Sequence, residues 1–318
     1  MPNSKRSRRG IGEVTPEPRP RHYWLRLAGF FVAATSLALL GLPFLGGFLL
    51  AAGLVYSPCS DRGITPAHYG YAYEEITLPA RVGGNFRGYF VPGTNGAAII
   101  IIPALNAGRD GRLREALLLA GHGYAIFAFE SRRCAGMGGV SLGYKEVDEV
   151  ADALDYLLTR PDVDPQRIGA YGFSSAGATA IIAAARLPQL KAVVAEGGYG
   201  DFAKDTLIPR VDGSLSSYFE AAFFWSVRQT YNLLTGSDIN LLSPVDVIGQ
   251  IAPRPILLIY GSQEVSLSGG RNQLAAAGDN AELWIVEGAG HGAYFDVAPQ
   301  EYEAKLVTFF DESLAKEN

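Results

Sequence analysis

The 318-residue sequence predicts an α/β protein, a mostly parallel eight-stranded sheet flanked by helices, preceded by one transmembrane helix. Three observations predict it. From about residue 74 onward, strand-like and helix-like patterns alternate. Several strand-like runs are apolar throughout, as strands buried on both faces are. Residues 27–56 carry no charge at all.

Residues 1–26 hold seven basic residues against two acidic ones, and the remainder holds 20 basic against 30 acidic. A nucleic-acid binder would spread its basic charge over a folded face, so this clustering in a Pro-containing tail excludes that class and points to a membrane. The tail is expected to be disordered. Residues 27–56 are long enough to cross a bilayer, which takes about 20 apolar residues, and too long for the apolar part of a cleaved signal peptide. Pro43 is a candidate kink. Basic residues on the N-terminal flank put that end in the cytoplasm and the rest of the chain outside it. Residues 57–72, with Pro58, Gly63, Pro66 and Gly70, read as a linker, and residues 73–318 as the folded domain.

Within that domain the elements follow in order. Strands are expected at 74–78 and 86–91, about a turn at Gly83–Asn85, and a β-branched strand at 97–102. A helix over 111–120 leads to a strand at 124–129. Val147, Val150, Ala151, Leu154, Leu157 and Leu158 recur at helical spacing within 144–158. A strand at 168–171, a helix at 175–185 and a strand at 192–195 follow. Residues 200–250 read as a small helical insertion, whose aromatics (Tyr218, Phe219, Phe223, Phe224, Trp225, Tyr231) either pack it down or offer apolar surface over a pocket. Strands at 255–260 and 283–286 and a helix at 300–314 close the chain. Repeated β-α units after two leading strands make the sheet mostly parallel.

The chemistry concentrates in Arg167-Ile-Gly-Ala-Tyr-Gly-Phe-Ser-Ser-Ala-Gly-Ala-Thr-Ala180, where a buried strand runs into a sharp turn and then a helix of small residues. A serine on such a turn projects its hydroxyl above the sheet, with a helix N-terminus behind it to meet an oxyanion. Ser174 fits as nucleophile with Gly172 two residues before it; Ser175 would put Phe173 there, where the strand ends and bulk does not fit. A serine nucleophile needs a base, ordinarily histidine. Of four histidines, His22 lies in the tail, His68 in the linker and His122 in a turn, which leaves His291 in the loop Glu287-Gly-Ala-Gly-His-Gly-Ala-Tyr294. No CxxC or Cys/His cluster suggests a metal site, and neither metal nor organic cofactor is called for. Cys59 and Cys134 are either a disulfide or two free thiols.

Over residues 64–314 the sequence resembles a bacterial α/β-hydrolase family, near its serine-aminopeptidase-like and dienelactone-hydrolase-like groups. The resemblance rests on the elbow, on Glu130-Ser-Arg-Arg-Cys-Ala-Gly-Met-Gly-Gly139, on Arg160-Pro-Asp-Val-Asp-Pro-Gln-Arg-Ile-Gly169, on Ser243-Pro-Val-Asp246 and on Gly288-Ala-Gly-His-Gly292. It implies a nucleophile–acid–histidine order, with Glu264 as the acid that orients His291; Glu196 and Asp201 are the alternatives. It also implies backbone oxyanion donors at Ser175 and at Ala104 or Leu105. Three departures stand out: Pro103-Ala104 where the family often has His-Gly, Ala176 where the elbow has Gly, and Glu264 where Asp is usual.

The function expected is hydrolysis of a carboxylic ester or related acyl bond of a small-molecule substrate through an acyl-enzyme. A membrane-anchored peptidase, with Glu196 as a charged anchor for a peptide terminus, and a non-catalytic tethered binding protein are the rivals.

Overall fold

The computed structural model describes residues 20–316. Most of the tail expected over residues 1–26 lies outside them. Its last residues are helical: α1 (Arg21–Val55) begins six residues before the uncharged run, directly behind Pro20, whose carbonyl accepts the Tyr23 N–H at 2.9 Å. The helix continues through Pro43. By length and composition α1 qualifies as a membrane span. The chain divides into two units, residues 1–42 and 43–318. The described part of the first is helix with exposed apolar side chains, among them Leu25, Phe30, Phe31, Val32, Leu37 and Leu40.

The second unit holds eight strands among its described residues: β1 (Glu74–Pro79), β2 (Asn85–Val91), β3 (Ala98–Ile102), β4 (Ala125–Phe129), β5 (Ile168–Phe173), β6 (Ala192–Glu196), β7 (Ile256–Gly261) and β8 (Ala281–Val286). They form one sheet in the order β1-β2-β4-β3-β5-β6-β7-β8, antiparallel at β1/β2 and β2/β4 and parallel elsewhere. Its helices are α2 (Leu113–Gly121), α3 (Glu146–Leu158), α4 (Ser175–Arg186), α5 (Phe202–Thr206), α6 (Leu215–Thr235), α7 (Pro244–Val247), α8 (Leu267–Ala277), α9 (Tyr294–Val297) and α10 (Pro299–Ser313).

Strand side chains alternate between faces, and two cores follow from that. Ala98, Ile100 and Ile102 of β3 join the core holding α3 and α4 residues, and Ile99 and Ile101 join the core holding α2 and α10 residues. The strand order turns about β3 and β5: β3 is followed outward by β4 on one side, and β5 by β6, β7 and β8 on the other. In open α/β sheets the crevice at the strand C-termini beside such a switch point is where ligands bind.

Helix α8 is absent from the sequence reading. Leu267-Ser-Gly-Gly-Arg-Asn272 is weak helical sequence. Here Gly270 serves packing, since a Cβ on it would lie 2.5 Å from the Tyr260 ring. The residues 57–72 read as a linker are tied down. Cys59 and Cys134 form a disulfide, and Ser60 pairs with Ala107 in a parallel bridge.

Candidate active site

At the C-terminal end of β5 the backbone turns so sharply into α4 that Ser174 sits at φ 60, ψ −125. That region is costly for a non-glycine residue and is held only where its surroundings fix it. The Ser174 N–H donates to the Glu196 carbonyl at 2.7 Å. Gly172 is required: a Cβ there would lie 2.1 Å from the Ala176 carbonyl oxygen. Ala176, buried beside it, leaves the turn intact, so the departure from glycine at that position is sterically accommodated.

Ser174 Oγ lies 3.1 Å from His291 Nε2, and His291 Nδ1 lies 2.6 Å from Glu264 Oε1. The Glu264 side chain is 1% exposed. Its Oε1 also accepts the Tyr294 hydroxyl at 2.6 Å, and its Oε2 accepts the Gly261 N–H at 2.9 Å. A carboxylate meeting those donors accepts only, so Nδ1 carries the proton and Nε2 is left to accept from Ser174. The longer glutamate fits because residues 261–264 fold back, the Glu264 N–H donating to the Gly261 carbonyl at 3.2 Å. Burial, then the Glu264 carboxylate, push the Tyr294 hydroxyl well above the usual phenol range.

Several supporting residues were not singled out from the sequence. Tyr294 is one, signalled only by its place in the His291 loop. Gly197 is another, at φ 55, where a Cβ would lie 2.4 Å from the Tyr294 hydroxyl and 2.9 Å from His291 Nδ1. Phe173 packs against the imidazole with ring centres 4.7 Å apart, and the Arg112 guanidinium lies over the Phe173 ring.

Of the expected oxyanion donors, Leu105 turns its N–H toward the elbow, donating to Ser175 Oγ at 3.1 Å from a backbone at φ 34. Ala104 packs on the core beneath. The N–H of Ser175 opens α4, where first-turn donors have no partner within the helix.

The alternatives to Glu264 lie elsewhere. Glu196 is buried, accepting the Tyr171 hydroxyl at 2.7 Å and the Tyr302 hydroxyl at 2.5 Å. Burial lifts its carboxyl to about 7, against Tyr302, Arg112 and Tyr171, which pull it down. It therefore serves neither as partner of His291 nor as an accessible peptide anchor. Asp201 caps α5, accepting the Lys204 N–H at 2.8 Å. His68 bonds Thr65, and His122 pairs with Glu303 at 2.9 Å. Among the described residues, no group of three His, Cys, Asp or Glu is placed to hold a metal ion.

Two clefts meet at Ser174 and His291. One, of about 530 Å³, is lined by Leu54, Leu105, Leu142, Tyr199, Phe202 and Thr206 among others. The second, of about 570 Å³, runs past Pro103–Arg112. The α6 aromatics line neither: Tyr231 is buried in the core of the insertion, while Tyr218 and Trp225 are exposed.

A serine on a strained elbow above a central parallel strand, with a histidine loop after the last strand, defines an α/β hydrolase, and this chain is one. It belongs to the prolyl oligopeptidase family (peptidase S9), whose model matches residues 115–317. It is similar to PA2218 of Pseudomonas aeruginosa, with 25% identity over 250 residues, 62% of this chain and 67% of that one. The PA2218 crystal structure aligns with a TM-score of 0.56 at 20% identity, covering 77% of this chain and 94% of that chain. The esterase Pf2001 of Pyrococcus furiosus aligns with a TM-score of 0.66 at 18% identity, covering 82% and 99%. A 2,6-dihydroxy-pseudo-oxynicotine hydrolase aligns with a TM-score of 0.61 at 17% identity, covering 94% and 91%. Identities this low carry the fold alone.

Proposed function

We propose that the chain is a membrane-anchored carboxylic ester hydrolase. Ser174 is the nucleophile, His291 its base, Glu264 the acid that orients it, and the N–H groups of Ser175 and Leu105 the oxyanion donors. The observation that carries this reading is the unbroken bonded chain from Ser174 Oγ through His291 to a buried Glu264. Ser174 Oγ attacks the carbonyl carbon as His291 Nε2 takes its proton. The tetrahedral intermediate expels the alcohol, which receives that proton, and leaves an acyl-Ser174. Water, deprotonated by His291, then releases the acid and restores the serine. Ser175 Oγ, which accepts the Leu105 N–H, must yield that donor to the oxyanion.

The family includes peptidases, so the peptide reading has standing. It wants a charged anchor at the cleft, and Glu196 is enclosed. Asp205 lines the cleft, but its carboxylate accepts the N–H groups of Gly200 and Asp201 at 3.0 and 2.8 Å. The mainly apolar lining favours an acyl group. The candidate span supports anchoring, and the disulfide supports an oxidising, extracytoplasmic location.

The test is fluorophosphonate labelling of the full chain in detergent, followed by matched panels of simple esters and aminoacyl amides. Ser174→Ala and His291→Ala should abolish labelling, and Ser175→Ala should retain it. A folded wild type that does not label would sink the hydrolase reading, and faster cleavage of amides than of esters would favour the peptidase.

A further inference from the structure

The C-terminal turns of α1 belong to the catalytic unit. Pro43, Gly47, Ala51 and Val55 are buried, one face at a spacing of four. Contact there is close: a Cβ on Gly47 would lie 2.5 Å from the Phe223 carbonyl oxygen, and Ser226 Oγ donates to the Phe44 carbonyl at 2.7 Å. At the far end the Val140 N–H donates to the Val55 carbonyl at 2.9 Å. Leu54, one residue earlier, lines the cleft at Ser174. The same helix that qualifies as a span thus forms part of the wall of the substrate cleft.

Helix α6 crosses these turns at Gly47. Trp225 meets Phe44 edge-on with ring centres 6.0 Å apart, while Tyr231, further along α6, donates to the Ser141 carbonyl next to the Val140–Val55 contact. Exposed apolar residues adjoin this contact: Phe44, Phe48 and Leu49 on α1, and Trp225 on α6. A helix of 35 residues is about 52 Å long, against a hydrocarbon core of about 30 Å. A span of about 20 residues beginning at Leu27 ends near Gly46, at the level of Phe44 and Trp225, and leaves Leu54 about 12 Å beyond, close above the headgroups. Aromatic residues of this kind favour that interfacial depth.

We propose that this apolar face is seated on the lipid leaflet from which α1 emerges, and that the enzyme takes long-chain acyl esters from that leaflet, the acyl chain passing along Leu54 to Ser174. The substrate class rests on the ester-hydrolase reading above; the lipid contact does not.

Two measurements on the full chain in phosphatidylcholine vesicles test it. With Trp24→Phe and Trp284→Phe introduced, Trp225 is the remaining tryptophan, and vesicles of brominated phosphatidylcholine should quench its fluorescence. Quenching no greater than from a water-soluble bromide would overturn the leaflet contact. In the second, p-nitrophenyl palmitate in the vesicles should be cleaved with kcat/KM about tenfold or more above p-nitrophenyl acetate, the return on burying at least two more methylenes. Acetate cleaved as fast as palmitate would overturn the substrate class while leaving the hydrolase intact. Cleavage of neither by folded protein would refute the hydrolase reading and the substrate class together, with the quenching result still deciding the lipid contact.

Discussion

Glu264→Gln is the substitution that most directly probes the proposed mechanism. Glu264 meets three donors: His291 Nδ1 and the Tyr294 hydroxyl on Oε1, and the Gly261 N–H on Oε2. An amide offers one oxygen and one NH₂ group, so whichever way it turns, a donor faces a donor. With its oxygen toward His291, the NH₂ opposes the Gly261 N–H in a buried site, at about 1–3 kcal/mol of stability. With the NH₂ toward His291, the imidazole is driven to carry its proton on Nε2 and can no longer accept one from Ser174. The second arrangement removes the base, and an acid-to-amide change in the triad of a serine protease lowers kcat about 10⁴-fold. We expect a fall of about 10³–10⁴-fold here, equivalent to about 4–5 kcal/mol of activation free energy. The assay is ester hydrolysis, with phosphonate labelling rate as a second readout and thermal melting to show that the variant is folded. Glu196→Gln and Asp201→Asn, whose side chains bond elsewhere, should stay within about threefold of wild type. A folded Glu264→Gln enzyme within about tenfold of wild type would refute the assignment of Glu264 as orienting acid.

Two further outcomes are expected. Replacing Cys59 and Cys134 by serine opens a disulfide that spans 75 residues, a loop whose closure is worth about 4 kcal/mol by chain entropy. It also frees Ser60, whose N–H donates to Asn106 and whose carbonyl accepts from Gly108 beside the oxyanion loop; kcat should therefore fall with Tm, and unchanged kcat in a less stable variant would show the tether to be structural only. Glu196, raised by burial from the ordinary 4.5 to about 7 when folded, holds a proton the unfolded chain has lost. The stability it contributes is full below pH 4.5 and is lost as pH rises through 7, about 3 kcal/mol in all. Glu196→Gln should melt near wild type at pH 5 and above it at pH 8.5. Glu149, raised by burial to about 8, keeps its own slope in both proteins, so equal wild-type and variant slopes would refute the assignment to Glu196.

Much of this was legible in the sequence because burial on both faces leaves an unambiguous trace. The Ala97–Ile102 run could hardly be anything but a central strand. Ser174 was separable from Ser175 by sterics alone, since the strand end tolerates Gly172 and not a larger residue. His291 followed by elimination. What escaped depended on contacts the pattern does not encode. That the Leu105 N–H, and not that of Ala104, turns toward the elbow depends on one backbone angle. Leu54 looked like any residue of an apolar span, and its place beside the cleft depends on how α1 docks. Glu196 is a subtler case. By strand parity it shares a face with Ala192 and Val194, which pack in the α2 and α10 layer, so its burial could have been read from the period of two. The α6 aromatics likewise divide by helical face, Tyr231 inward and Trp225 outward.

The three departures from the usual pattern bear on the rival reading of a hydrolase fold without catalysis. The steric demand of the elbow falls on Gly172, where a Cβ would strike the Ala176 carbonyl at 2.1 Å, and so Ala176 itself costs little. The added methylene of Glu264 is taken up by the return turn at Gly261 and held by Tyr294. Pro103-Ala104 leaves Leu105 at φ 34 with its N–H directed at the elbow, and the adjoining Asn106–Gly108 segment is pinned by Ser60 next to a disulfide. Each change thus comes with a local contact that holds the altered segment in place. The burial of Glu264 and the three donors that meet it fit the catalytic reading better, because they hold the one tautomer of His291 able to accept a proton from Ser174.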